Sequence, residues 1–198
     1  MNVPFSCYAE GVLSPKQMRI PTPAAEKLYV ESFPPAERRS PSHHRIMAAS
    51  ESAFHPLELC NAAGELVGIL YYWHWPQHAL LFVEHLAIKP SLRGQGFGHE
   101  ALQLLRQDGI SIILEIEPVA DAATARRLAF YESAGFVPLP FEHEQLPYHI
   151  GDSPIPLTLL SWQSDGTPAS AELVNLLEHL LRTCVMRLPH TDQHPLSE

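Results

Sequence analysis

The chain has 198 residues, 45% of them hydrophobic and 18% charged, which suits one globular domain with a sizeable core. Its formal net charge of -9 disfavours nucleic acid as the main partner, because phosphate binding needs a basic stripe; a cationic substrate such as an amine is compatible with it. No apolar run approaches 18 residues, and the N-terminal stretch lacks a basic segment followed by an apolar one, so neither a membrane span nor a signal peptide is expected.

In chain order, residues 1–16 show no periodicity and read as an extension to a single domain over 17–188, with a disordered tail at 189–198. A short strand is expected between Met18 and Thr22. Pro23 suits a helix start, and Ala24, Leu28 and Phe33 follow at loosely helical spacing. The polar, proline-rich "PPAERRSPSHHR" reads as a loop with a helical turn. "PLELCN" and "ELVGILYYWHW" flank Ala62-Ala63-Gly64 and read as a hairpin. "ALLFVEHLAI" is apolar on both faces except at Glu84 and His85, as expected of a central strand, and Lys89-Pro90 ends it.

Phe97, Ala101, Leu104 and Leu105 then share one helical face, and Gly109 closes that helix. In "ISIILEIE", Ile112, Leu114 and Ile116 alternate with Ile113, Glu115 and Glu117, the period of a strand. Asp121 is placed to cap a helix over "AATARRLAFYESA", which Gly135 closes. "FVPLPF" and "IPLTLLSW" read as strands. A last helix begins at Thr167-Pro168 and carries Leu173, Leu176, Leu177, Leu180, Leu181, Val185 and Leu188 on one stripe, either packed on the sheet or forming a dimer surface. The order predicts a mixed α/β sheet in one domain.

The stretch between the central strand and the following helix is rich in glycine: Arg93-Gly94-Gln95-Gly96-Phe97-Gly98. A P-loop would need Lys followed by Ser or Thr, and a dinucleotide fingerprint would need glycine where His99 stands; both fail by spacing. Bare backbone N–H groups at a helix start make an anion site, and glycines let a pyrophosphate approach closely. A tight strand-to-helix turn explains the glycines equally well on this stretch alone.

"HLAIKPSLRGQGFGHEALQLL" resembles motif A of the GNAT acyltransferases, Gln/Arg-x-x-Gly-x-Gly/Ala, with Arg93, Gly96 and Gly98 in the three places. "RRLAFYESAGF" resembles the family's next motif, with Tyr131, Gly135 and Phe136 in place. The resemblance covers Glu65 to Phe141 well and the two ends thinly. It implies a sheet splayed between "ALLFVEHLAI" and "ISIILEIE", with acetyl-CoA as co-substrate lying in the opening. The pyrophosphate would rest on Arg93 to Gly98, and the pantetheine arm would pair with backbone of Leu86, Ala87 and Ile88. The acceptor would be a primary amine attacking directly in a ternary complex. An alternative is a non-catalytic acyl-CoA-binding sensor or scaffold.

The chemistry asks for a base, since an alkyl amine with a pKa of about 10 is mostly protonated at neutral pH. Glu115 is the first choice, matching a catalytic glutamate of some family members; Glu84 on the partner strand is the second, and His85 beside it reads as a core histidine before an assisting base. Glu117 shares a face with Glu115, and two close carboxylates would raise one pKa. Tyr131 matches the family's usual acid for the departing thiolate. The family often has Asn seven residues before that tyrosine; here Thr124 stands there, at the cost of one hydrogen bond to the pantetheine arm. Specificity is expected from about Phe33 to Arg45 and Phe141 to His149, where Glu37, Glu142 and Glu144 could hold a cationic amine. No metal is expected, since none of the 12 His sits in a ligand motif. Cys7, Cys60 and Cys184 form no Cys-x-x-Cys pair and fit a reducing, cytoplasmic setting. A monomer or homodimer is expected.

Overall fold

A computed structural model describes residues 13–18 and 20–186. Eight strands form one mixed, mostly antiparallel sheet: β1 (Ser14–Gln17), β2 (Phe54–Cys60), β3 (Leu66–Trp75), β4 (Leu80–Ile88), β5 (Ser111–Ile116), β6 (Val137–Pro138), β7 (His143–Gln145) and β8 (Ile155–Trp162). The strand order is β1-β2-β3-β4-β5-β8-β6, and β7 also pairs with β8. Among the described residues, only β4 and β5 run parallel. Five helices cover the sheet: α1 (Pro23–Ser32), α2 (Pro41–Ser50), α3 (Phe97–Gln103), α4 (Ala122–Ser133) and α5 (Ala171–Leu180).

The strand alternation divides the core in two. Ile112, Leu114 and Ile116 join Leu81, Val83 and residues of α3 and α4 on one face. Ile113 joins Leu80, Phe82 and residues of α1, α2 and α5 on the other. The α5 stripe packs within the chain, with Val174, Leu177, Leu180, Leu181 and Val185 buried against that second cluster. The aromatic residues Tyr71, Trp73 and Trp75 of β3 are buried there too, each at most 4% exposed.

Several expectations shift. The first strand lies at Ser14–Gln17, before the expected Met18 to Thr22 and starting inside the segment read as an extension, because it is defined by pairing with the edge of β2, from Ser14↔Cys60 to Gln17↔Leu57. Residues 1–12 and 187–198, with Cys7, Leu188 and the expected tail, lie outside the described residues. The Pro-rich stretch holds the expected turn, a 3₁₀ turn at Pro35–Glu37, and also the start of a helix, α2, whose N-cap Ser40 accepts a hydrogen bond from the His43 N–H. Its buried face is His43, His44 and Met47, so no apolar stripe announces it. α5 starts three residues beyond Thr167-Pro168, at the Ser170 cap; Thr167 instead bonds Asp165 in a turn. α3 ends at Gln103, well before Gly109.

Candidate active site

β4 pairs with β5 from Leu80↔Ser111 to Val83↔Leu114 and no further. Beyond Val83, β4 runs on to Ile88 with β3 along its other edge, through Leu70↔Leu86, Ile69↔Ala87 and Gly68↔Ile88. β5 runs on beside β8, with Glu115 opposite Leu159. The two central strands therefore diverge, and Leu86, Ala87 and Ile88 border the opening with backbone groups that no β5 residue pairs. The β3–β4 register slips as the opening begins: Tyr71 faces His85 and Tyr72 faces Val83, leaving Glu84 as the extra residue of a bulge. Glu84 and His85 both consequently contact residues on the α1 side of the sheet.

At the head of the opening a 3₁₀ turn, Pro90–Leu92, leads into the glycines. Gly94 and Gly96 have φ of 75° and 87°, left-handed values that side chains resist, and a Cβ on either would meet nothing within 4 Å. The conformation, not crowding, requires glycine there. Gly98 is different: a Cβ would stand 3.0 Å from Phe130 Cζ, so the residue lets α3 close on α4. The Arg93 side chain folds back, its Nε donating to the Ile88 carbonyl at 3.1 Å.

The carboxylates have distinct surroundings. Glu115, whose side chain is 9% exposed, lies 2.7 Å from Nε2 of the fully buried His143, and Nδ1 of that ring bonds Glu178 of α5. Burial pushes the Glu115 carboxyl up, against the opposing pull of His143. Burial alone would lower the pKa of His143, but Glu115 and Glu178 together outweigh it and raise it. Glu84 is held by three donors: Arg39 Nη1, Trp73 Nε1 at 2.8 Å and the Tyr148 hydroxyl at 2.8 Å. Burial would raise its pKa, but Arg39 and the other donors prevail and bring it to about 2. Such a carboxylate is a weak base for an ammonium, and its geometry is that of a structural ion pair. Glu117 does not join Glu115 as expected; it pairs with Arg127 of α4, beyond the end of β5.

Residues 22–136, more than half of the chain, match the acetyltransferase (GNAT) family. The chain belongs to the GNAT acetyltransferase family. A solved structure from Bacteroides thetaiotaomicron, titled "Putative acetyltransferase from GNAT family", is 30% identical and superposes with a TM-score of 0.73, covering 84% of this chain and 92% of that one. A chimera of the Vibrio cholerae spermidine N-acetyltransferase shares the fold at 14% identity and a TM-score of 0.58, over 83% of this chain and 99% of that one. "Putative acetyltransferase YjbC" of Bacillus subtilis is 37% identical over 60 residues, which is 29% of this chain and 31% of that protein.

Within the GNAT fold, Tyr131 sits on the α4 side of the sheet between Phe130 and Phe136, with ring centroids 4.9 and 5.8 Å away. Burial pushes its hydroxyl up to about 12, so it stays protonated at neutral pH. Thr124 is engaged elsewhere: it forms a capping box with Asp121, accepting from the Asp121 N–H at 3.0 Å while Asp121 accepts from the Thr124 N–H at 2.8 Å. His85 is a buried core residue whose Nε2 bonds the Glu37 carbonyl and whose pKa burial lowers.

The two segments expected to set specificity meet, with His149 Nε2 bonding the Pro35 carbonyl at 3.0 Å. Of their acidic residues, Glu142 and Glu144 line a pocket of about 820 Å³ together with His143, Glu178 and Arg182. Glu37 lies apart, in the 3₁₀ turn Pro35–Glu37, with its carbonyl on His85. Sequence reasoning missed Arg39, Tyr148, His143 and Glu178. Arg39 stood in a stretch read as polar loop, Tyr148 stood in the specificity segment Phe141 to His149 without being singled out, and His143 and Glu178 meet only through tertiary packing 35 residues apart. Among the described residues, no group of three or more potential ligands is arranged to hold a metal ion, and no helix is long and apolar enough to cross a membrane.

Proposed function

We propose that this GNAT acetyltransferase transfers an acetyl group from acetyl-CoA to a primary amine by direct attack within a ternary complex. The observation that carries the reading is the end of β4–β5 pairing at Val83 and Leu114, with the glycine loop at its head and Glu115 on the strand beside it.

Acetyl-CoA supplies an activated thioester. The chain's residues fit it: the unpaired β4 edge at Leu86, Ala87 and Ile88 would meet the pantetheine amides, and the N–H groups from Gly94 to Gly98, with Arg93, would meet the pyrophosphate. Holding both reactants in the opening replaces a bimolecular encounter by a near-unimolecular step. Glu115 would take a proton from the amine; a carboxyl raised by burial is a better base than an exposed one. Tyr131 keeps its proton and so can hydrogen-bond the departing sulfur.

A calorimetric titration with acetyl-CoA tests the site. The parent chain should bind, and Gly96→Glu, which sets a carboxylate against the loop, should not. Because Gly96 has φ of 87°, that variant can fail by folding. Arg93→Ala, at an ordinary φ of −66°, is the control and should bind about tenfold more weakly. No heat at millimolar acetyl-CoA from the parent would end the reading.

A further inference from the structure

His143 has its two ring nitrogens against two carboxylates, Glu115 of β5 and Glu178 of α5. Two bare acceptors do not approach to 2.7 Å, so each contact requires a proton. Protons on both nitrogens make the ring an imidazolium between two carboxylates; a neutral ring instead needs a proton on Glu115, which disables it as a base, or on Glu178, which leaves Glu115 facing a ring without charge. The choice is set by charge, because the His143 side chain is 0% exposed, that of Glu115 9% and that of Glu178 28%.

We propose that His143 is a positioning residue that holds Glu115 in its ionised form, and that Glu178 holds His143 in its cationic form. The proposal rests on the reading of Glu115 as the base. An isolated buried carboxyl keeps its proton, and His143 is the cation within bonding distance of this one. The neighbouring charges act the other way or are already committed. Glu84 and Glu178 raise Glu115 by like charge, Arg39 is committed to Glu84, and Tyr148 donates to Glu84. On the outer side, Arg182 stands 4.0 Å from Glu178, and Glu142 and Glu144 line the same pocket. Burial raises Glu115 and His143 opposes that rise, in the direction the geometry requires.

The test uses the full chain labelled with ¹³C-carboxyl glutamate, with the Glu115 resonance identified by its loss in Glu115→Gln. Its titration midpoint should be higher in His143→Gln than in the parent, and the His143 ring, followed by ¹⁵N labelling, should lose its proton at lower pH in Glu178→Gln than in the parent. Glutamine at 143 can still donate a hydrogen bond to Glu115 but carries no charge, so a merely structural histidine would leave the midpoint in place. Coincident midpoints in the parent and His143→Gln overturn the proposal. If His143→Gln does not fold, the partly exposed Glu178 carries the test through the ring, and a His143 ring midpoint unmoved in Glu178→Gln overturns it equally. The base reading fails separately. Turnover of acetyl-CoA with 1,4-diaminobutane that survives Glu115→Gln unchanged would sink the reading of Glu115 as base, whatever the midpoints do.

Discussion

Arg39 and Glu84 form an ion pair inside the fold, with side chains 0% and 1% exposed. Arg39 reaches it from the segment before α2, bonding the Val185 carbonyl with its other nitrogen and stacking 5.0 Å from the Tyr148 ring centre. The pair thus ties the β4 bulge to the end of the chain's last described helical turn. Removing one partner leaves a buried charge without compensation, which costs about 3–5 kcal/mol. Arg39→Met and Glu84→Gln should each lower stability by about that amount in urea unfolding, and the double variant by less than their sum. The acid branch should respond as well. Glu84 falls from 4.5 to about 2 on folding, so its stabilisation is complete above pH 4.5 and lost as pH falls towards 2. Glu84→Gln should flatten that branch; an unchanged branch would refute the assignment.

Gly98 and Phe130 set how closely α3 packs on α4. A methyl group at 98 would lie 3.0 and 3.1 Å from two ring carbons of Phe130, so the ring must yield. Overpacking of this kind costs about 1–3 kcal/mol, against up to about 1 kcal/mol returned by alanine's helix propensity. Gly98→Ala should therefore be destabilising, and less so when Phe130→Leu is already present. A double-variant cycle with no coupling would show that the contact does not limit the approach.

At β5 and β8, where the core-facing residues are apolar, the sequence read correctly. β5 and β8 alternate or run apolar, and both strands fall where the pattern puts them. The glycine loop was legible because backbone conformation dictates it, and so was the Asp121 cap. The misses share a physical cause. α2 turns His43 and His44 inward, and β7 turns His143 and Gln145 inward, so hydrophobic periodicity is silent at both. Their burial depends on partners distant in sequence, Glu115, Glu178 and the Tyr29 ring among them. The carboxylates on the central strands were found; what each one touches was not, because Arg39 and Tyr148 approach Glu84 from 45 and 64 residues away.

The inward histidines make stability sensitive to mild acid. Burial lowers His44 from 6.5 to about 3 and His55 from 6.5 to about 4, with the nearby positive charges adding to it. Both are neutral in folded and unfolded chains above pH 6.5. As pH falls below 6.5 the unfolded chain takes up protons that the folded chain refuses, so stability drops progressively until about pH 4 and then 3. His44 stacks on Tyr29 with ring centres 4.8 Å apart and meets Phe54 edge-on, which suits an aromatic replacement. His44→Phe should lose less stability than the parent between pH 6.5 and 4.5, measured by urea midpoints at each pH. Parallel curves for the two proteins would show that His44 is charged in the folded state.

Tyr131 separates a proton donor from a packing residue. Its ring is held by Phe130 and Phe136, and a phenylalanine can make the same contacts. Tyr131→Phe should therefore melt close to the parent. If the hydroxyl assists departure of the sulfur, kcat should fall about 100-fold while KM for acetyl-CoA changes little, since that help is felt in the transition state. The pH dependence adds a second condition. With the hydroxyl pushed up to about 12, no phenolate forms near neutral pH, so the parent should show no alkaline loss of rate that the variant lacks below about pH 10. An alkaline limb present in the parent and absent from Tyr131→Phe would mean that the hydroxyl titrates far lower than its burial dictates. An unchanged kcat would leave Tyr131 as a core tyrosine and move the search for the acid to solvent within the opening between β4 and β5.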